Sequence, residues 1–306
     1  MTPRPVKSGR RNIVLGVAEG MEWAEIEPFV RSLRSTRYDG DVLLYVADLD
    51  PHTIEALRAA DVGVRPMRRL LLSALGRRLT PYDPRLARLH SRYPTLIRLG
   101  SRWARDPTSA AAALAAALSV RDIRRFFLYY RYLLSEGHAY ENVMLTDVRD
   151  VIFQDDPFAF DIGAALHCYL EDTGTTLGSE PYNQRWLRTA FGETVSEELR
   201  DCPIVCAGVT IGPTELVVEY LRVMVEHLLR LRVQTTGLDQ AVHNYILHSK
   251  RVPSALLVPN GGGTVATLGI TPEDEVAPLL GAAVLHQYDR HPQLSASLLK
   301  ALAGER

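Results

Sequence analysis

The chain has 306 residues, 35 basic and 36 acidic side chains, a net charge of −1 and 46% hydrophobic residues. Such a composition supports a sizeable core in one large domain or two small ones, and it argues against long disorder and against a dedicated nucleic-acid binder. No apolar run reaches the ~18 residues that a membrane-spanning helix needs. Residues 1–11 are basic, contain proline and lack an apolar run, so a flexible tail is expected rather than a secretory leader. Residues 12–17 (NIVLGV) are a buried-strand candidate. In 22–35, Trp23, Ile26, Val30 and Leu33 share one helical face. Residues 42–47 (VLLYVA) read as a second strand, and Asp50-Pro51 supplies an N-cap carboxylate and a first-turn proline for the next helix. A third strand is expected at 62–65. This alternation predicts an open, mostly parallel sheet flanked by helices.

From Arg65 to Arg105 the chain holds eleven arginines and a single acid, Asp83. Residues 67–79 (MRRLLLSALGRRL) read as a basic amphipathic helix inside this insertion. It suits an interfacial segment on anionic lipid, a patch for a phosphorylated acceptor, or packing against acidic surface elsewhere in the chain. Arginine is the chain's general base, since lysine occurs only at 7, 250 and 300, a bias that points to GC-rich, bacterial coding.

Beyond the insertion, 110–118 reads as a soluble Ala-rich helix and 121–135 as a helix that stops before Gly137. Its aromatics spread around several faces and are assigned to the core. Residues 142–146 (NVMLT) form a strand that runs into Asp147. Further strands are expected at 164–169, 204–211 and 282–286, and helices at 214–232 and 238–248. The alternation continues to the end of the chain, so 12–306 is expected to be one α/β domain. Cys168, Cys202 and Cys206 are too few and too odd in number for a disulfide framework. A reducing, cytoplasmic compartment fits, with peripheral membrane contact through 65–105 as a variant.

The densest chemistry lies in 145–158, LTDVRDVIFQDDPF. A buried strand ends in Asp147, and Asp150 follows three residues later. Ligands of open α/β sheets gather at the carboxyl ends of strands. Two crowded carboxylates repel unless a proton or a cation separates them, and hard oxygen ligands suit Mg²⁺ or Mn²⁺. A simple turn is the plainer account of a bare DxxD. Asp155 and Asp156, before Pro157, read as turn formers.

Four segments in order resemble the GT-A glycosyltransferases. DVRDVIFQDDPF is similar to the metal-binding acidic motif that ends a central strand there, in the DxxD form of the glucosyltransferase domain of collagen lysyl hydroxylases. CAGV at 206–209 with Ile211-Gly212 resembles a strand of the glycogenin-like family, with cysteine in place of its usual asparagine. Gly237-Leu238-Asp239-Gln240 with Asn244 resembles that family's helix start. His286, in LHQYDR, resembles the late histidine that completes the metal site. The resemblance spans roughly residues 12–290 in short pieces.

It implies a GT-A, Rossmann-like fold and transfer of a sugar from a nucleoside-diphosphate donor, a UDP-sugar first among them, to a hydroxyl acceptor on a glycan, lipid or small molecule. Asp147, Asp150 and His286 would hold the ion, Mn²⁺ before Mg²⁺ because of the imidazole, and Asp147 would also reach the ribose. The end of the first strand, Val17, Ala18 and Glu19, would hold the nucleotide base, and Arg125, or else Arg124, would reach the diphosphate or sugar. Gly208 would lie under the donor. Asp239 and Gln240 would orient the donor sugar under retention, or Asp239 would serve as base under inversion. From the residues alone, Asp239 equally suits a helix cap. Gly262, in the NGGG run at 260–263, would bring backbone N–H groups to phosphate or sugar oxygens, though a surface turn accounts for the run as well. Two other readings share these carboxylates: a nucleotidyltransferase or phosphatase, whose common DxD spacing this DxxD does not match, and a nucleotide-sugar-binding protein without turnover.

Overall fold

The structure, a computed structural model, describes residues 11–67, 94, 95, 97, 99–104, 107–172 and 174–304. The N-terminal tail up to residue 10 lies outside the described residues, as does most of the arginine-rich insertion, including 68–79 of its expected helix.

Strand β1 (Arg11–Glu19) is followed by α1 (Trp23–Ser35), which opens on a capping box between Glu22 and Glu25 and buries Ile26, Phe29, Val30 and Leu33. Then come β2 (Asp41–Ala47), α2 (Pro51–Ala59) and β3 (Gly63–Pro66). The Asp50 carboxylate accepts the Thr53 backbone N–H at 3.0 Å, the cap expected of that residue. Beyond the insertion lie α3 (Pro107–Leu118), α4 (Arg121–Glu136), β4 (Tyr140–Thr146), β5 (Val151–Phe153) and β6 (Leu166–Leu170). Next are α5 (Pro181–Phe191), α6 (Glu193–Glu198), β7 (Val205–Pro213), α7 (Thr214–Leu228) and α8 (Leu238–His248). The remaining elements are β8 (Ala255–Val258), β9 (Val265–Thr267), β10 (Val284–His286) and α9 (Pro292–Ala303). Helix α7 ends before the expected residue 232, because the backbone tightens into bonds from Arg230 N–H to His227 O and from Leu231 N–H to Leu228 O.

The described strands form a seven-stranded sheet in the order β3-β2-β1-β4-β7-β6-β8. Only β7 runs against its neighbours, β4 and β6; the other pairs are parallel. Alternate strand residues feed two layers. Ile13, Leu15, Val143 and Leu145 pack with Phe126, Phe127, Leu221 and Val242 of α4, α7 and α8. Val14, Leu44 and Met144 face the other way, against Ile26, Phe29 and Leu57 of α1 and α2. No described helix is long and apolar enough to cross a membrane.

Two features of this topology position the site. The chain winds outward from β1 to β3, then returns to place β4 on the other flank of β1. This reversal opens a crevice at the carboxyl ends of β1 and β4, the usual ligand position in such sheets. A second, three-stranded sheet, β5-β10-β9, lies beside it. Strand β10 runs antiparallel to β5 with His286 opposite Val151, and Gln287 N–H donates to Asp150 O at 2.7 Å. That register carries residue 286 to the carboxylates that follow β4.

Candidate active site

Asp147 is the first residue after β4, and its N–H donates to Gly208 O at 2.8 Å, which ties the β4 end to β7. Asp147, Asp150 and His286 each offer one ligand atom, all within 4.8 Å of one another, so the cluster can hold a metal ion. His286 Nε2 lies 3.4 Å from Asp147 Oδ2 and 3.9 Å from Asp150 Oδ1. It is buried, yet no partner meets it in hydrogen-bond geometry. A buried ring nitrogen left without a partner is costly unless something else takes its lone pair.

The other face of the ring explains its orientation. Nδ1 lies 3.4 Å from Cys206 Sγ, and the same sulfur receives the Gly208 N–H at 3.4 Å. With Nδ1 turned to the sulfur, Nε2 is the ring nitrogen that faces the two aspartates, the orientation that metal-binding imidazoles use once that nitrogen gives up its proton. Gly208 is required there for space. A Cβ on it would lie 2.3 Å from His286 Cε1, 2.5 Å from Nε2 and 2.8 Å from Asp147 Oδ2. An orphaned nitrogen, two carboxylates and a side-chain-free backbone cradle together fit a divalent cation.

The electrostatics agree. Burial opposes ionisation of Asp147, but Arg125 and His286 outweigh it and hold its carboxyl at about 2. Burial pushes the Asp150 carboxyl up; His286 pulls it back, and Asp147 adds repulsion. Burial works against a charged His286, yet Cys206 and the two aspartates raise its basicity well above the ordinary value. A site that stabilises a proton on imidazole this strongly has negative charge to spare for a cation.

Arg125 of α4 lies behind the aspartates. Its Nη1 donates to Asp147 Oδ1, and its Nη2 to Asp239 Oδ2 at 2.8 Å and to Ala207 O at 3.2 Å. It therefore braces two carboxylates from below. Asp239 does not cap α8: Gly237 occupies the N-cap position without a side-chain bond, and the buried Asp239 carboxylate binds Arg125 instead. The coulombic pull of a guanidinium outweighs the smaller gain of a cap. Gln240 accepts the Ala207 N–H at 2.8 Å and donates to Glu171 at 2.7 Å. Asn244 clamps both backbone groups of Val205, joining α8 to β7.

Asp147, Asp150, His286, Arg125, Asp239, Gln240 and Glu171 line a cleft of about 600 Å³, together with Val17 and Gly208. Ala18 is fully buried within β1, and Glu19 at its end pairs with Arg124 at 3.0 Å. Gly262 sits in a turn with its N–H on Pro259 O, and it does not line the cleft. A second hollow of about 630 Å³ adjoins the ends of β1 and β2, between Trp23, Asp48 and His52. Met21 borders both.

Several cleft residues escape a reading of the sequence. Glu171 follows β6 as Asp147 follows β4, so the rule of acids at strand ends applied to it equally. Burial raises its carboxyl above the ordinary range against the pull of Gln240. Tyr129 contributes a buried hydroxyl without a hydrogen-bond partner. Tyr182, Asn183 and Trp186 come from α5, whose start was marked by Pro181 in the first turn. No family model matches the chain, and no curated protein matches it.

Proposed function

We propose that this chain is a metal-dependent glycosyltransferase of GT-A architecture, moving a sugar with retention of configuration from a nucleoside-diphosphate donor, a UDP-sugar, to a hydroxyl acceptor. The observation that carries the reading is the orphaned Nε2 of His286, turned toward Asp147 and Asp150 above the bare backbone of Gly208 at the sheet's switch point. The order β3-β2-β1-β4 with an antiparallel β7 and a small accessory sheet is compatible with that architecture.

Asp147, Asp150 and His286 would hold Mn²⁺ in preference to Mg²⁺, because the harder ion takes nitrogen less readily. When bound, the ion supplies Lewis-acid neutralisation of the charge that develops on the departing diphosphate. Three protein ligands leave positions open for phosphate oxygens. Arg125 keeps Asp147 ionised and aimed. Half-exposed Arg121, on the cleft wall, offers further positive charge to the diphosphate. The hollow beside Trp23 and His52, at the end of β1, suits the nucleoside. In the transfer, the bond from the anomeric carbon to the phosphate oxygen breaks with its electron pair remaining on the diphosphate. The acceptor oxygen bonds to that carbon, and its proton passes to the leaving phosphate oxygen. Asp239, buried and fixed on Arg125, would set negative charge beside the positive anomeric carbon, with Gln240 and Glu171 holding the wall.

Calorimetry with UDP tests the reading. Binding is expected in Mn²⁺, and its metal-dependent part disappears in Asp150→Asn. A panel of UDP-sugars then releases UDP on incubation with enzyme. Equal UDP binding with and without Mn²⁺, or in Asp150→Asn and the parent, overturns the assigned site.

A further inference from the structure

We infer, resting on the transferase reading, that the acceptor is a saccharide whose pyranose ring stacks on Tyr182 and Trp186 at the rim of the cleft. Both residues line the cleft and lie four apart on α5, so they share one helical face. Their ring centroids are 6.0 Å apart and tilted by 40°. Tyr182 is 59% exposed, and the Arg185 guanidinium lies 5.4 Å from its ring centroid. Tyr182 leaves most of its ring in water, whereas half-buried Trp186 packs one side against the core and lines the cleft with the rest. The electron-rich face of such a ring attracts the weakly positive C–H groups along one side of a pyranose.

A second observation points the same way. Asn183, next to Tyr182, is 5% exposed and lines the cleft. Its Nδ2 donates to Glu180 at 2.8 Å, which fixes the amide's orientation, and its Oδ1 has no donor among the described residues. Because Oδ1 itself is closed off, a sugar hydroxyl supplies the missing donor only after the rim side chains shift, and an acyl chain supplies none.

The position selects the acceptor over the donor. Trp186 lies against Gly237, where a Cβ would be 2.1 Å from Cε2, two residues before Asp239. The stacking surface thus adjoins Asp239 on the β6 and α8 side, whereas the nucleoside hollow lies across β4, at β1 and β2. Glu171, Glu180 and Asp239 outnumber Arg125 and Arg185 on this side, so a neutral sugar is favoured over an acidic one.

Saturation-transfer NMR tests this with neutral methyl pyranosides, a methyl glucuronide and hexanol, each with UDP and diamagnetic Mg²⁺ in place of Mn²⁺, which would broaden the ligand signals. Transfer is expected to the C–H protons of a neutral pyranoside, above the glucuronide and hexanol. Binding weakens about fivefold in Tyr182→Ala and persists in Tyr182→Phe, while UDP affinity stays that of the parent. Transfer to no pyranoside, a preference for hexanol or the glucuronide, or equal binding in Tyr182→Ala overturns the acceptor assignment alone, provided UDP and Mn²⁺ still bind. Absence of UDP binding to the parent protein overturns both readings.

Discussion

The sulfur of Cys206 sits 3.4 Å from Nδ1 of His286, on the side of the ring turned away from Asp147 and Asp150. The sulfur is held in turn by the Gly208 N–H, so a single side chain decides which imidazole nitrogen meets the aspartates. Cysteine sulfur is a weak acceptor, and an asparagine carbonyl oxygen in its place would accept from the ring nitrogen as well.

Removing that acceptor should loosen the ring. Cys206→Ala is expected to bind Mn²⁺ about 10- to 100-fold more weakly than the parent, and Cys206→Asn to recover most of the loss. Titration of free Mn²⁺ by electron paramagnetic resonance reads both. Parental affinity in Cys206→Ala would show that the ring is held by its packing alone.

Gly208→Ala is the complementary change. Its Cβ collides with ring atoms at 2.3 and 2.5 Å, deep in the core, where neither partner can yield without moving β10. The variant should lose Mn²⁺ binding and about 1–3 kcal/mol of stability, the usual cost of overpacking. Denaturant melts with and without Mn²⁺ measure both, and the stabilisation that the ion gives the parent should be absent.

Arg125 joins Asp147 to Asp239 across the floor of the cleft. Arg125→Met keeps the side-chain volume but leaves a buried carboxylate without its partner, at a cost of about 3–5 kcal/mol. Urea unfolding at neutral pH should show this loss. It should shrink in Arg125→Met/Asp239→Asn, where the more deeply buried of the two uncompensated charges is removed. Equal losses in the single and double variants would mean that packing, rather than charge, is what Arg125 contributes.

His243 of α8 gives a pH dependence away from the site. It is fully buried against the Tyr220 hydroxyl at 2.7 Å, and burial lowers its pKa from 6.5 to about 3. The folded protein therefore keeps it neutral while the unfolded chain takes up a proton below 6.5. Its contribution is present above that pH and is lost as pH falls toward 3. His243→Gln should flatten the stability profile between those limits by about 1.4 kcal/mol per pH unit relative to the parent. Coincident slopes for the two proteins would contradict the burial assigned to this ring. His227 and His248 are lowered in the same direction, so part of the acid sensitivity remains in the variant.

Much of this architecture is legible in the amino-acid sequence. The strands at β1, β2, β4 and β7 are long enough for their apolar runs to stand out, and Asp50-Pro51 marked α2 as its side chain caps it. Asp155 and Asp156 form the turn expected of them: the Asp155 carboxylate accepts the Asp156 N–H, and the Asp156 carboxylate accepts that of Phe158. Strands β5 and β9 have three residues each, too few for periodicity to register, whereas the strand expected at 282–286 is present as β10. Helix α5, with its aromatic pair, was hidden by a polar composition whose only signal was Pro181.

The chain's own order of residues determined that a buried strand would deliver Asp147 and Asp150 to the carboxyl edge of a sheet, because strand propensity and an acid at the strand end are local properties. His286 was expected to join them through a resemblance and not through any pattern of its own segment; tertiary structure brings it there, turns its ring with Cys206, and occupies Arg125 with two carboxylates. Those contacts depend on the pairing of β5 with β10 and on the packing of α4 beneath β4 and β7. Such pairings are settled cooperatively by the whole core, among residues far apart in the chain, and so they leave no mark in the pattern of any single segment.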